Sequence, residues 1–423
     1  MKYGLIGEHL PHSFSGEIHA KIAPYSYELH ELPKDRLSAF MEERDFLGIN
    51  VTIPYKQAVI PYLSEMDDVA KKIGAVNTIV NRNGKLFGYN TDFFGMQALI
   101  RKSGFDLAGA KVLILGTGGT SLTAHAAAES FGADPILVVG RNVKAGCITY
   151  EQAEKDHTDA DFIINTTPCG MYPYPDGNET MKAVPIELTK FTKLRGVIDV
   201  IFNPLRTNLV LGAQALGIPA AGGLYMLVAQ AVAAAELFTG QHFQANLTDK
   251  IYTEIRAEKE NIVLTGMPGS GKTTVGLYLA EKLGRRFIDT DSVIVKNTGK
   301  EISTLFSEIG NDGFRHLETE AIREASNSTG AVIATGGGAI LSDDNIRMLR
   351  RSGRIYFLNR ALEYIEPTAD RPLALDRDAL AARFRERYER YLTTCDVQIV
   401  TDENVYHTAN AIQEDFYHEN SCH

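Results

Sequence analysis

The residue pattern most directly tied to a reaction begins at Gly266, where the spacing Gly-x-x-x-x-Gly-Lys-Thr is that of a nucleoside triphosphate loop. An apolar run at 262–264 precedes it, and helical apolar spacing follows over 275–283. Backbone N–H groups of such a loop point at phosphate oxygens, its lysine contacts the β and γ phosphates, and its threonine hydroxyl binds Mg²⁺. The sequence therefore predicts an ATP and Mg²⁺ site formed by Gly266, Gly269, Ser270, Gly271, Lys272, Thr273 and Thr274.

Two aspartates follow the next apolar run of this region. Asp289 and Asp291 stand two positions apart at the end of the run 286–288, so strand alternation predicts that both carboxylates lie on one face. Phosphoryl transfer needs one carboxylate near Mg²⁺ and a second near the acceptor hydroxyl. The region therefore has the residue types of a small kinase.

A second glycine loop lies in the first half of the chain. Gly116, Gly118 and Gly119 follow the apolar run 111–115 and lead into an alanine-rich stretch. Glycines at these positions permit a tight turn and the close approach of a dinucleotide pyrophosphate to a helix N-terminus. Ser121 replaces the third glycine of the usual pattern, so the loop alone is a weak signal.

The residues after the next apolar run, 136–139, indicate which dinucleotide is bound. An NAD-binding domain has an acidic residue there for the ribose 2′-hydroxyl, but this chain has Arg141 and Asn142, with Lys144 just beyond. A guanidinium suits a 2′-phosphate. The pattern favours NADP over NAD, with a solvated loop arginine as the alternative interpretation.

The residues before this loop, up to about position 100, contain polar side chains embedded among glycine and small apolar residues. Thr52 and Lys56 stand at the end of an alternating run, and Asn77 and Asp92 lie in two similar settings further on. Embedded polar groups need hydrogen-bond partners, and a polyhydroxylated ligand supplies them.

The composition bounds the class of protein. The chain has 423 residues, 43 basic against 53 acidic side chains and a net charge of −10, which argues against nucleic acid or an anionic membrane as the main partner. The four cysteines form no C-x-x-C pair, which indicates neither a zinc site nor a disulfide framework and fits a reducing cytoplasm. The most apolar segment, 224–238, is too short for a membrane span, and no signal peptide is visible. We expect a cytoplasmic enzyme acting on small molecules, with a homodimer as one possible assembly.

The first 250 residues carry six ordered motifs that together resemble shikimate dehydrogenase. They are Gly7 through His12-Ser13-Phe-Ser15, Asn50-Val-Thr52-x-Pro54-x-Lys56, Ile73-Gly-Ala-Val-Asn77-Thr78, Asn90-Thr91-Asp92, Asn165-Thr-Thr-Pro-x-Gly170-Met171 and Gly223-x-x-Met226-Leu-x-x-Gln230-Ala231. The resemblance implies Lys56 and Asp92 as the catalytic pair, and Ser13 and Ser15 on the substrate carboxylate. It further implies substrate-ring contacts from Thr52, Asn77, Asp92 and Gln230, and cofactor contacts from Gly223 and Met226.

The residues from about 260 to 423 resemble shikimate kinase. Besides the nucleotide loop and the two aspartates, the resemblance rests on Phe314-Arg315-x-x-Glu318, Thr335-Gly336-Gly337-Gly338-Ala339, Asp370-Arg371-Pro372-Leu373 and Arg387-x-x-x-Tyr391. It implies that shikimate is held by two arginines, Arg315 and Arg387, and by the glycine loop of Gly336, Gly337 and Gly338. By the same resemblance Asp291 takes the hydroxyl proton, Asp289 holds Mg²⁺ through water, and Arg371 closes over ATP. The alternative for each arginine is a structural salt bridge.

These expectations define an α/β protein of two or three domains. A substrate domain, 1–100 with 222–256, surrounds a Rossmann-like NADP domain, 101–221, and a P-loop kinase domain with a parallel sheet occupies 260–423. The resemblance implies reduction of 3-dehydroshikimate with NADPH, followed by phosphorylation of shikimate with ATP and Mg²⁺.

Three residues depart from the two families: Gly16 for a common proline, Phe202 for a common tyrosine, and Asn311 for a common glutamate. Phe202 and Asn311 leave room for other substrates. One alternative is a quinate-type dehydrogenase, or a kinase for another polyol acid such as gluconate. The other is a metabolite sensor with one inactive half. The presence of Lys56, Asp92, Lys272, Asp289 and Asp291, and the lack of a basic DNA-binding segment, argue against a sensor.

Overall fold

The structure is a computed structural model that describes residues 2–10, 13–141, 146–173, 184–365, 377–402 and 404–421. The chain divides into an N-terminal unit, Met1–Tyr252, and a C-terminal unit, Thr253–His423. The sequence places this junction between 256 and 260, whereas the observed boundary lies inside one helix, Leu247–Lys259.

The first sheet of the N-terminal unit is mixed. Its strands run in the order β2-β1-β3-β5-β6-β4, in which β5 is antiparallel to both β3 and β6 and the other neighbouring pairs are parallel. Asn83 and Gly84 both have positive φ and join β5 to β6 in a tight hairpin. The strands are β1 Tyr3–Gly7, β2 Tyr27–Glu31, β3 Gly48–Val51, β4 Glu65–Met66, β5 Thr78–Arg82 and β6 Lys85–Tyr89.

The second sheet of this unit has six parallel strands in the order β12-β11-β10-β7-β8-β9. This is the strand order of dinucleotide-binding sheets, in which the ligand site lies where the order reverses, here between β7 and β10. The strands are β7 Val112–Leu115, β8 Ile136–Gly140, β9 Cys147–Thr149, β10 Phe162–Asn165, β11 Gly196–Asp199 and β12 Ala220–Gly222.

Helices connect these strands and cover the sheets. The hydrophobic core beneath the second sheet joins Ile114 and Ile164 of the strands to Leu99, Ala124 and Met226 of three helices. The helices are α1 Ser15–Ile22, α2 Leu37–Glu43, α3 Asp68–Ile73, α4 Thr91–Lys102, α5 Gly119–Ser130, α6 Tyr150–Asp156, α7 Asn208–Ala215, α8 Leu224–Thr239 and α9 Leu247–Lys259.

The C-terminal unit has one parallel sheet in the order β14-β15-β13-β16-β17. The strands are β13 Asn261–Thr265, β14 Phe287–Asp289, β15 Val332–Ala334, β16 Gly353–Arg360 and β17 Val397–Thr401. The helices are α10 Lys272–Leu283, α11 Thr290–Thr298, α12 Ile302–Ser326, α13 Asp343–Ser352, α14 Arg377–Thr394 and α15 Val405–Ser421. The predicted α/β fold class is confirmed.

Loops that follow parallel strands all emerge at one edge of a sheet, so this architecture gathers the glycine loops and strand-end polar residues of each unit. Among the described residues, no helix is both long enough and apolar enough to cross a membrane.

Candidate active sites

The N-terminal unit contains a close lysine–aspartate pair. Lys56 follows β3, and Asp92 lies in the first turn of α4, which Asn90 caps by accepting a hydrogen bond from the N–H of Phe93. The Lys56 Nζ lies 2.6 Å from Asp92 Oδ2, with the side chains only 17% and 11% exposed. The structure therefore brings together the two residues that the sequence predicts as a catalytic pair.

This pair faces the predicted nucleotide loop. A Cβ built on Gly119, at the start of α5, would lie 3.9 Å from Lys56 Cδ. The ammonium thus sits between the first sheet, which carries it, and the glycine loop of the second sheet. A proton donor placed there can reach a substrate bound beside a cofactor.

Two other predicted substrate residues belong to one buried hydrogen-bond network. The Asn77 amide Nδ2 donates to Thr91 Oγ1 at 3.0 Å, and the Thr91 N–H donates to Asn77 Oδ1 at 2.7 Å. Thr91 Oγ1 also donates to Gln230 Oε1 at 3.4 Å, and Gln230 Nε2 donates to the Leu227 carbonyl at 2.8 Å. Thr91 is therefore a site residue to which the sequence analysis gave no role, although it lies inside a quoted motif.

Ser13 and Ser15 lie at the start of α1, where the Ser15 N–H donates to Ser13 Oγ at 3.3 Å. The Phe14 ring between them packs edge-on against Phe202, with centroids 5.2 Å apart. Phe202 is the residue that departs from a common tyrosine, and the structure packs it against the ring that lies between the two serines in the sequence. Thr52, which follows β3, contacts the position that a Cβ on Gly7 would occupy.

The second glycine loop has the geometry of a phosphate cradle. Gly116 has φ of 108°, which only glycine adopts easily, and a Cβ there would collide with Thr166 Oγ1. Gly118 caps α5, and among the described residues no atom lies within 4 Å of a Cβ built on it. Arg141 follows β8 and is exposed. The predicted contacts Asn142 and Lys144 lie outside the described residues.

A buried carboxylate at the end of β11 ties the strand ends beside this loop together, a role the sequence analysis missed. Asp199 Oδ1 accepts hydrogen bonds from Asn165 Nδ2 at 3.0 Å and from the Ile201 N–H at 3.1 Å. Its Oδ2 accepts one from the Thr207 hydroxyl at 2.6 Å. Burial raises the pKa of Asp199 to about 7, against the effect of these three donors.

The segment held by Asp199 leads to the start of α8, where two predicted cofactor residues lie. The Gly223 N–H donates to the Ile201 carbonyl at 2.9 Å. Met226 is buried in the first turns of α8, and a Cβ on Gly95 of α4 would lie 2.6 Å from its carbonyl oxygen. The close packing of α4 on α8 fixes Met226 beside the helix that carries Asp92.

In the C-terminal unit the first glycine loop leads into α10, with Gly271 as its N-cap at φ 92°. The Lys272 ammonium donates to the carbonyls of Gly266 and Met267 at 2.8 and 2.9 Å. The Thr273 hydroxyl donates to Asp289 Oδ2 at 2.9 Å. Gly269, Ser270 and Thr274 belong to the same turn and helix start.

Thr273 and Asp289 place a hydroxyl and a carboxylate oxygen together, as the sequence predicts for Mg²⁺. Among the described residues, no cluster of three or more His, Cys, Asp or Glu side chains could hold a metal. Two protein oxygens nonetheless fit Mg²⁺, which usually keeps several waters and binds through one or two protein ligands plus phosphates.

The expectation that strand alternation aligns Asp289 with Asp291 is wrong. β14 ends at Asp289, whose side chain caps α11 by accepting from the N–H groups of Asp291 at 3.0 Å and Ser292 at 3.3 Å. Aspartate is a strong N-cap, which ends the strand early. Asp291 lies in the first helical turn, where burial first and the charge of Asp289 second raise its pKa to about 6.

The predicted arginines converge on the glycine loop that follows β15. Arg315 pairs with the buried Glu318, whose pKa is raised by burial. Arg387 Nη1 and the Tyr391 hydroxyl donate to the Gly337 carbonyl at 3.0 and 2.6 Å. Within the described part of the chain, the Nε atoms of both arginines are buried without a hydrogen-bond partner. An anionic ligand would satisfy them.

The glycines of this loop are needed for close approach. A Cβ on Gly336 would lie 2.8 Å from Asp291 Oδ1 and 2.7 Å from Glu318 Oε1, and one on Gly338 would overlap the Arg315 guanidinium. Asp291 therefore approaches the loop at Gly336, and Arg315 approaches it at Gly338. Arg371, predicted to close over ATP, lies outside the described residues.

A cavity of about 600 Å³ lies beside the nucleotide loop. The rings of Tyr278 and Tyr406 in its wall meet edge-on, with centroids 4.9 Å apart, and Asn404 adds polar groups. Its lining residues are Thr274, Tyr278, Asn404, Val405 and Tyr406. An aromatic and amide lining suits a nucleobase. No spacing along the sequence indicates this cavity, because β17 and α15 bring 404–406 to the loop only in the fold.

Comparison with protein families supports the resemblance inferred for each half of the chain. The family profile of the shikimate dehydrogenase substrate binding domain matches residues 5–79, and that of shikimate kinase matches residues 268–416.

Among curated proteins, the shikimate dehydrogenase (NADP(+)) of Clostridium perfringens strain SM101 is 35% identical over 272 residues, covering 60% of this chain and 98% of that protein. Among solved structures, a chorismate mutase/shikimate 5-dehydrogenase fusion protein from Clostridium acetobutylicum is 33% identical with a TM-score of 0.55, covering 60% of this chain and 96% of that one. The Thermus thermophilus shikimate 5-dehydrogenase, in complex with NADP(H) and shikimate, is 27% identical with a TM-score of 0.53, covering 60% and 99%.

Proposed function

The chain belongs to the shikimate dehydrogenase family and carries a shikimate kinase domain behind the dehydrogenase, and from this we propose that one polypeptide reduces 3-dehydroshikimate and then phosphorylates the shikimate it forms. The observation that carries the proposal is that each unit has its own nucleotide loop beside its own set of polar groups for a carboxylated polyol. Each proposed activity therefore has its own candidate site within one unit.

In the dehydrogenase, NADPH supplies the hydride when bound. Lys56 donates a proton to the ketone oxygen as the alcohol forms, and Asp92, 2.6 Å away, holds the ammonium in place and stabilises its charge before transfer. Asn77, Thr52 and Gln230 bind ring hydroxyls. Ser13 and Ser15 at the start of α1 bind the carboxylate.

The cofactor is held at the reversal point of the second sheet. The open cradle of Gly116, Gly118 and Gly119 fits a pyrophosphate, and Arg141 at the end of β8 binds the 2′-phosphate, with Asn142 and Lys144 as further contacts. Gly223 and Met226 at the start of α8 contact the nicotinamide. Relatives that carry NADP in their names support this choice.

In the kinase, ATP and Mg²⁺ bind at the loop from Gly266 to Thr274. Lys272 exchanges its two carbonyl partners for phosphate oxygens, and Thr273 and Asp289 hold Mg²⁺ directly or through water. Arg371 closes over the nucleotide, and the cavity by Tyr278 and Tyr406 takes the base.

Shikimate binds at the loop of Gly336, Gly337 and Gly338. Arg315 and Arg387 bind its carboxylate, since both have a buried Nε to satisfy. Asp291 accepts the proton of the reacting hydroxyl, and its raised pKa of about 6 makes it a stronger base than an ordinary aspartate while leaving it ionised at neutral pH.

One purified sample tests the proposal. NADPH oxidation is measured with 3-dehydroshikimate, and ADP formation is measured with shikimate. The dehydrogenase is also assayed in the oxidative direction with quinate, and the kinase is also assayed with gluconate. Turnover of either compound would identify a different substrate. We expect both shikimate reactions. Loss of one reaction with retained metabolite binding would identify a sensor instead, and turnover of quinate or gluconate alone would reassign the substrates.

A further inference from the structure

A tyrosine outside every motif with a proposed role is connected to the dehydrogenase site. The Tyr27 hydroxyl, on edge strand β2, donates to Asn50 Oδ1 at 2.7 Å. Asn50 lies on β3 and is 5% exposed, so its amide depends on hydrogen-bond partners within the protein rather than on water. This bond occupies the amide oxygen and directs the Nδ2 group the other way.

The Asn50 Nδ2 group donates to Thr78 Oγ1 at 3.0 Å and to the Asn77 carbonyl at 3.4 Å. A hydroxyl that accepts from Asn50 is free to donate its one hydrogen onward. Thr78 Oγ1 lies 3.2 Å from Asn77 Oδ1 and 2.9 Å from Thr91 Oγ1. The network that orients the Asn77 amide is therefore linked to Tyr27 through Asn50 and Thr78.

The Tyr27 ring is itself fixed. His19 of α1 stacks on it, with centroids 3.8 Å apart and planes 9° from parallel. Burial lowers the pKa of His19 to about 3, so the stacked imidazole is neutral. His19 Nδ1 is in turn 2.6 Å from the Tyr25 hydroxyl. The Tyr27 hydroxyl therefore bonds Asn50 directly, whereas the Tyr25 hydroxyl bonds His19.

We propose that Tyr27 is a positioning residue of the dehydrogenase, which acts through Asn50 and Thr78 to fix the Asn77 amide in the orientation that binds the substrate ring. The inference rests on the proposed reduction of 3-dehydroshikimate. The Asn50 amide has a partner on its oxygen, Tyr27, and a partner on its nitrogen, Thr78, so it cannot rotate by half a turn. Without the Tyr27 hydroxyl the amide could rotate, and the hydrogen bond to Thr78 would be lost.

The effect is expected on substrate binding rather than on the reaction step. Asn77 contacts the ring in both the ground state and the transition state, so its misorientation raises KM and leaves kcat nearly unchanged. The NADP cradle lies on the second sheet, and the kinase is a separate unit. KM for NADPH and both kinase constants should therefore stay the same.

The test compares Tyr27→Phe with Tyr25→Phe in the full chain. Both variants keep the aromatic ring and lose one hydroxyl bonded within the same cluster, so they serve as a matched pair for structural effects. Tyr27→Phe should raise KM for 3-dehydroshikimate about three- to tenfold, the worth of one weakened neutral hydrogen bond. Tyr25→Phe should leave this KM within about twofold of the value for the unmutated protein, although its melting temperature should be similar to that of Tyr27→Phe.

A double-mutant cycle with Asn50→Ala checks the route. If Tyr27 acts through Asn50, then Tyr27→Phe adds no further increase in KM to the Asn50→Ala variant. Additive effects would overturn the route, and equal KM values for the Tyr27→Phe and Tyr25→Phe variants would overturn the inference, whether or not Asn50→Ala folds. An unmutated protein that does not reduce 3-dehydroshikimate would instead overturn the proposed function.

Discussion

The two units differ in what their candidate catalytic cations contact. In the N-terminal unit Lys56 pairs with Asp92, the other residue of the proposed catalytic pair. In the C-terminal unit Lys272 donates to two carbonyls of its own loop and Arg387 to the Gly337 carbonyl, while Arg315 pairs with Glu318.

This difference is the one expected if the two units carry out the two proposed reactions. A proton donor benefits from a partner that is already in place, because preorganised charges need no rearrangement at the moment of transfer. Phosphoryl transfer instead needs cations that take up phosphate and carboxylate oxygens. Backbone carbonyls suit that purpose, since they satisfy the ammonium or guanidinium and are exchanged for stronger anionic acceptors when ligands bind.

The largest effects should come from removing one catalytic residue in each unit. Lys56→Ala should lower kcat for ketone reduction by a factor of about 10²–10⁴, the usual worth of general acid catalysis, with ADP formation unchanged. Asp291→Asn should lower ADP formation by a similar factor of about 10²–10⁴ and leave NADPH oxidation intact. The second variant would convert 3-dehydroshikimate only as far as shikimate.

Exposed residues provide the controls for this pair. Lys71→Ala on α3 and Asp344→Asn on α13 remove the same charges from surface positions, and both activities should persist. Near-normal reduction by the Lys56→Ala variant would exclude Lys56 as the proton donor. Shikimate phosphorylation at an ordinary rate by the Asp291→Asn variant would exclude Asp291 as the base.

A smaller effect is expected when a methyl group is added beside Arg315. Gly338 has φ of −103°, which alanine tolerates, but the methyl of Gly338→Ala would overlap the Arg315 guanidinium. The methyl group would push the guanidinium away from the substrate carboxylate that it is proposed to bind. Loss of this hydrogen bond to a charged group, about 1.5–3 kcal/mol, should raise KM for shikimate roughly 10- to 100-fold. Dehydrogenase constants measured on the same protein are the control, and an unchanged KM would separate Arg315 from substrate binding.

The cofactor assignment gives a further test in the N-terminal unit. Arg141→Ala should raise KM for NADPH about tenfold through loss of one charge-assisted contact, with little change for NADH. Arg195→Ala, which removes a half-exposed arginine immediately before β11, should change neither constant. Equal use of both cofactors by the unmutated protein would contradict a 2′-phosphate site at Arg141.

The smallest expected effect concerns pH. Because burial and Asp289 raise the pKa of Asp291 to about 6, the carboxyl becomes protonated below that pH and no longer accepts a proton. Kinase kcat/KM, measured between about pH 5 and 8, should therefore fall as the pH drops through about 6. A kinase profile that stays flat over this range would show that Asp291 does not limit the reaction.

Much of the fold, and the residues of both candidate sites, could be predicted from local sequence. The apolar runs before Gly116 and Gly266 form β7 and β13, and the glycine spacing places each loop at a helix start. These features depend on neighbours in the chain, where backbone sterics and periodicity act directly. The strand expected through Asp291 failed because Asp289 caps a helix, a local competition that alternation alone does not register.

The sequence by itself determined which residue types are present for the two proposed reactions, since motif spacing fixes the loops and places Arg141 after the second strand of the nucleotide-binding sheet. Only the tertiary structure decided which distant side chains meet. Tyr27 reaches Asn50 because β2 and β3 flank β1, and Asp199 holds Ile201 and Thr207 because a buried carboxylate must find donors wherever the fold supplies them. Arg315 and Arg387 converge on one glycine loop because α12 and α14 both pack beside it, a juxtaposition that no spacing along the chain encodes.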